Sequence, residues 1–115
     1  MTTGIHGMFF SAQAEELRAF LRDKLQLGGR DVGGGWLVFD FEKADMGVHP
    51  VDHEDAPPTG THDISFTCDD IEETVAELRA RGVEFTDEVS DQGYGLTIHF
   101  EMPGGVKVEL YQPKY

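Results

Sequence analysis

Residues 60–85, GTHDISFTCDDIEETVAELRARGVEF, read in order as an alternating strand, a two-aspartate turn, an amphipathic helix and a glycine stop. Asp69 or Asp70 supplies the N-cap oxygen, and Ile71, Val75 and Leu78 fall on one helical face that runs to about Arg81 and stops at Gly82. An echo lies near the start, at residues 5–27, IHGMFFSAQAEELRAFLRDKLQL. There a short apolar strand carrying His6 leads into a helix over 12–27, with Leu17, Phe20, Leu21, Lys24 and Leu25 at helical spacing and Gly28-Gly29 as its C-cap. Two copies of one strand-then-helix opening predict a duplicated module.

Each opening is followed by strands. In the first half, a short edge strand at 30–32, the glycine run 33–35, WLVFDF at 36–41 and a strand at 44–51 follow the helix. In the second half, strands are expected over 61–68, 83–89, 94–101 and 106–111, with a turn at 90–93 and a tight Pro103-Gly104-Gly105 turn. The order is βαβββ twice. The segment 52–60, DHEDAPPTG, joins module one (4–51) to module two (61–113) inside a single domain, because neither half can bury a core alone. The expected fold is α+β, with eight strands and two helices.

Period-two alternation then divides the strands into faces. Leu96, Ile98 and Phe100, like Val106, Val108 and Leu110, belong under the helices. The opposite parity collects a polar set: His6, Trp36, Asp40, Asp45, His49, Asp63, His99, Glu109 and Tyr111. So many ionisable and imidazole groups on one side suggest a lined cleft. His49 and His99 are candidate general bases, since imidazole titrates near neutrality. Trp36 and Tyr111 are candidates to stack on an apolar or aromatic ligand.

Composition narrows the partners. Twenty-two acidic residues against nine basic ones give a net charge of −13, which disfavours nucleic acid and anionic membrane surfaces. The single cysteine, Cys68, permits no internal disulfide and fits a reducing cytoplasm. No cationic start precedes an apolar run and no run reaches spanning length, so a cytoplasmic location is expected. The run 33–35 is no phosphate loop, because no Lys-Ser/Thr pair follows it.

With these features assembled, the chain resembles the vicinal oxygen chelate superfamily, which includes glyoxalases, bleomycin resistance proteins and extradiol dioxygenases. The resemblance is carried by His6 with FLRDKLQL at 20–27, by DDIEETVAELRARGVEF at 69–85 and by FEMPGGVKVELYQP at 100–113. It implies that the paired modules form an open eight-stranded barrel-like sheet, with the helices on its outer face, around one divalent metal ion (Fe, Mn, Ni or Zn), or none in metal-free members. Metal-binding members take ligands from the first and last strands of each module. His6 and Glu109 fall on two of those positions; the third falls on Asp63, with His62 as its alternative, and Gly47 stands at the fourth. Alternation favours Asp63, because His62 shares the parity of Ile64, Phe66 and Cys68 and is expected to pack.

Two functions follow. One is a metal-dependent enzyme with isomerase, lyase or ring-cleaving oxygenase chemistry on vicinal oxygens. The other is a metal-free protein that binds or sequesters a small molecule, as bleomycin resistance proteins do. The resemblance also implies a homodimer.

Overall fold

A computed structural model describes residues 7, 9, 12–44, 54–59 and 62–115 of the chain. Its elements run α1 (Ala14–Asp23), β1 (Gly29–Asp31), β2 (Leu37–Phe39), β3 (Ser65–Thr67), α2 (Ile71–Ala80), β4 (Ser90–Asp91), β5 (Gly95–Met102) and β6 (Val106–Pro113). The expected first strand and the strand at 44–51, and with them His6 and His49, lie outside the described residues apart from isolated positions. The described residues therefore account for part of the expected eight strands: β1 and β2 pair with each other, and β3-β6-β5-β4 form a four-stranded sheet.

The second half keeps the expected order of strand, helix and strands except over 83–93. β3 and β6 run parallel with α2 as the crossover, and β5–β6 is an antiparallel hairpin in full register from Gly95↔Pro113 to Met102↔Val106. The Pro-Gly-Gly turn closes it, with Gly104 and Gly105 at φ 92° and 73°, a region where a side chain would be strained. Ile98, Phe100 and Met102 of β5, and Val108 and Leu110 of β6, are buried on one side beneath Ile71, Val75 and Leu78 of α2. α1 adds Leu17, Phe20 and Leu21 to this same core, and Phe20 lies across Phe100 with ring centroids 6.4 Å apart. One core therefore serves both helices.

α2 is held at both ends. Asp70 accepts from the Glu73 N–H (3.1 Å), Gln112 of β6 accepts from the Ile71 N–H (2.8 Å), and Gly82 leaves the helix at φ 87°. α1 stops earlier than its apolar spacing predicts. It ends at Asp23, and the left-handed residue beyond it is Gln26 at φ 57°, not Gly28. The reason is tertiary: Arg81, at the end of α2, donates to the Lys24 carbonyl (3.4 Å) and to Gln26 Oε1 (3.1 Å), tying the two helix ends together.

The expected strand at 83–89 is reduced to a single bridge, Phe85↔Phe100, and pairing resumes at Ser90–Asp91, where a turn was expected. Thr86 still bonds the His99 carbonyl through its N–H (2.8 Å). At the next step the Asp87 carboxylate, in place of a backbone carbonyl, accepts the His99 N–H (2.7 Å). A side chain has entered the ladder and broken it.

Candidate functional site

The face of the four-stranded sheet opposite the helices is built by register alone. Two rows of side chains cross it. One contains Ser65, Glu109 and His99, continued by Asp87; the other contains Thr67, Tyr111, Thr97 and Ser90. Each row is one cross-strand step wide per residue, so neighbours stand at contact distance.

The first row is continuous in space, with a hydrogen bond at each end. Ser65 Oγ donates to Glu109 Oε1 (3.3 Å), Glu109 Oε2 lies 3.4 Å from His99 Nε2, and His99 Nδ1 lies 2.7 Å from Asp87 Oδ2. Burial pulls the Asp87 carboxyl upward, yet the backbone N–H and the ring of His99 outweigh it and hold it below the ordinary carboxylate range. Asp87 is thus a firm acceptor at neutral pH. The 3.4 Å step between His99 and Glu109 is the loose joint of the row, being longer than a well-formed hydrogen bond.

The second row is more closed. Thr97 is 3% exposed although it faces away from the helices. The Tyr111 ring leans along the sheet onto Gly95, where an added Cβ would meet both that ring and the Gln112 carbonyl (2.7 Å). Tyr111 also gathers Tyr94 and Tyr115, with ring centroids at 5.8 and 6.4 Å, and its hydroxyl donates to that of Tyr115 (3.1 Å). The polar row and the tyrosine cluster are adjacent on one surface.

Of the residues singled out in the sequence, His99, Glu109 and Tyr111 come together here. Asp63 is exposed two residues before β3, in the parity of Ser65. His62 is exposed rather than packed, because β3 begins only at Ser65 and the packing face starts with it. Trp36 is 51% exposed and lies under the Arg18 guanidinium of α1, 4.8 Å from the ring centroid, so its contact is with the helix. Asp40 pairs with Arg30 across β1 and β2 (3.1 Å). Cys68 is half-buried and burial pushes its thiol up, against a hydrogen bond from Thr74 that lowers it, which argues against a nucleophilic role.

Asp87 and Ser65 were not anticipated. Ser65 was legible as the partner in register of Glu109; Asp87 was not, since a regular strand would have turned it with Phe85 toward the core. A separate open cleft of about 730 Å³ lies between α1 and the β5–β6 turn, lined by Gln13, Phe20, Lys24, Phe85, Glu101 and Pro103 among others. It includes neither His99 nor Glu109, and its mixed walls converge on no chemistry comparable to the row.

Of the expected metal donors, Asp63 and Glu109 are among the described residues and His6 is not. Among the described residues no group of three or more His, Cys, Asp and Glu side chains stands close enough to hold a divalent metal ion. Glu109 is turned to His99 and Ser65.

The family model described as "Glyoxalase/Bleomycin resistance protein/Dioxygenase superfamily" matches residues 5–110, and the chain belongs to that superfamily. Among solved structures the chain is similar to TnmS3, an antibiotic binding protein from Streptomyces sp. CB03234, at 22% identity and a TM-score of 0.65, over 99% of this chain and 100% of that one. It is also similar to a lactoylglutathione lyase from Agrobacterium tumefaciens, at 16% identity and a TM-score of 0.62, over 90% and 88% of the two chains. A superfamily member from Sphaerobacter thermophilus DSM 20745 shares 24% identity with a TM-score of 0.60, over 91% of each chain. A search of curated proteins found no match. Both enzymes and binding proteins therefore share this fold. No helix of the described residues is long and apolar enough to cross a membrane.

Proposed function

We propose that the protein binds a small organic molecule on the sheet face that carries His99, Glu109 and Tyr111, without requiring a metal. The observation that carries this reading is the state of Glu109. It stands where metal-binding relatives place a ligand, yet here it accepts from Ser65 Oγ and lies 3.4 Å from His99 Nε2. This polar row offers anchors that fix a ligand's orientation, and the tyrosine cluster beside it offers stacking area. The full-length likeness to TnmS3 accords with a sequestering role.

The test is a panel of aromatic and heteroaromatic compounds screened by thermal shift and calorimetry in the presence of EDTA. A binder should raise the melting temperature. Glu109→Gln and His99→Gln should each weaken it by about tenfold or more, the worth of a hydrogen bond to a charged group. A panel without binders in EDTA that gains them on metal addition would overturn the reading.

A second reading keeps the metal enzyme. Asp63 and Glu109 share a parity, and His6 could join them, as the resemblance implies. Stoichiometric binding of Fe(II), Mn(II), Ni(II) or Zn(II), lost in a His6→Ala/Glu109→Ala variant, would establish it; His49 and His99 would then be the candidate proton carriers.

A homodimer and a cytoplasmic location complete the proposal. Several large apolar side chains of the chain lie at its surface, Val32, Trp36, Phe41, Tyr94 and Tyr115 among them. A second copy is the economical cover for such a surface. Sedimentation at micromolar concentration that finds a monomer would remove this part.

A further inference from the structure

The polar row raises a question that the candidate residues alone do not answer: which nitrogen of His99 works on the ligand. Asp87 decides it. Its Oδ1 is fixed by the His99 backbone N–H (2.7 Å), so its Oδ2, 2.7 Å from Nδ1, is aimed at the ring by the same residue that it orients. The carboxyl is held in its ionised form, and an ionised carboxylate can only accept. Nδ1 must therefore carry a proton. In the neutral ring this leaves Nε2 as a lone-pair acceptor, facing Glu109 Oε2 at 3.4 Å.

Two acceptors facing each other at that distance gain nothing from one another. They gain when a donor is set between them, either the second proton of the imidazolium or an N–H or O–H of a ligand. The ladder break at Asp87 is the structural expense of this arrangement, since a regular strand would have supplied a carbonyl to the His99 N–H and left Nδ1 without a carboxylate.

We propose that Asp87 is a positioning residue: it fixes His99 as the Nδ1–H tautomer, so that Nε2 and the Glu109 carboxylate form a paired acceptor for a donor group of the ligand. This rests on the reading of the sheet face as the ligand site and narrows it to compounds that carry an N–H or O–H donor. It also explains why a fixed general base, should the ligand be transformed, would take its proton at Nε2. Asp87 itself has no part in contacting the ligand.

The experiment is ¹⁵N NMR of the His99 ring in the ligand-free protein, at a pH high enough for the ring to be neutral. The wild-type protein should show the protonated, pyrrole-type signal at Nδ1 and the unprotonated, pyridine-type signal at Nε2. In Asp87→Asn the amide oxygen can still accept the His99 backbone N–H, while the amide NH₂ donates to Nδ1. The two ring signals should then exchange positions. A wild-type ring protonated at Nε2 would overturn the proposal without any variant, so a misfolded Asp87→Asn could not shield it. An Asp87→Asn ring that keeps its Nδ1 proton would overturn it equally. Because no ligand is present, this outcome is separate from that of the compound panel: a failed panel with the expected tautomer removes the ligand site and leaves the role of Asp87 in place.

Discussion

α2 and α1 occupy equivalent places in the two modules and are secured by different means. α2 starts on an aspartate side chain, receives a second cap from Gln112 and ends on a glycine in the left-handed region. α1 starts at Gln13 with no side-chain cap hydrogen bond and ends at a left-handed glutamine. Its apolar face is buried against the core of module two, and its end is tied by Arg81 from α2. Among the described residues, the local chemistry that holds the helices is concentrated around α2. The candidate site follows the same asymmetry, since every bonded member of the polar row comes from module two.

That asymmetry can be broken or sharpened by substitution. The largest effect is expected at Phe100, which is 0% exposed and meets both Phe20 and Phe85. Phe100→Ala should cost about 3–5 kcal/mol in urea unfolding. Phe41→Ala in module one, where the side chain is 54% exposed, should cost less than about 1 kcal/mol. Equal losses would show that module one carries more of the core than its described residues suggest.

Gly95→Ala comes next. The new methyl would meet the Tyr111 ring and the Gln112 carbonyl, so about 1–3 kcal/mol is expected, with a changed Tyr111 environment in near-ultraviolet circular dichroism. Unchanged stability and spectrum would mean that Tyr111 does not rest on the Gly95 backbone. Asp70→Ala should then cost about 1 kcal/mol by removing the α2 cap, read by chemical denaturation.

The smallest effect is a pH dependence. Asp87 has its carboxyl depressed in the folded state, so its contribution to stability is present above the unfolded carboxylate value of about 3.9 and is lost as pH falls through the lower folded value. The stability difference between wild type and Asp87→Asn should therefore shrink between pH 5 and pH 2.5, as measured by denaturation at each pH. A difference that grows toward acid would reverse the assigned sign. The side chain is nearly half exposed, so the shift is modest.

How far the sequence could be read depended on whether backbone or side chains held the ladder. Period-two alternation placed Ile98 and Phe100 under the helices and His99 and Glu109 on the other face, because β5 and β6 pair along their whole length. The same rule failed at Asp87, where a carboxylate takes the place of a backbone carbonyl and no hydrophobic pattern registers it. It failed again at the end of α1. Gly28-Gly29 looked like the stop, but the stop is made by an arginine 55 residues away from Gln26. Trp36 shared a parity with the polar set, and Arg18 draws it to α1 instead. Long-range side-chain contacts decided each of these cases.

The parallel pairing of β3 with β6 bears on the order in which the molecule folds. Ser65 and Glu109 are neighbours in space and 44 residues apart in sequence, whereas β5 and β6 meet through a tight turn. Closing the longer loop costs more entropy before any contact repays it, so the hairpin is expected to form early and β3 to dock late. Until it docks, the β6 edge that will bind Ser65 and Thr67 stands open to other chains. Substitutions at Val108 should slow refolding, and those at Phe66 should chiefly speed unfolding; stopped-flow measurements that find the reverse would invert this order.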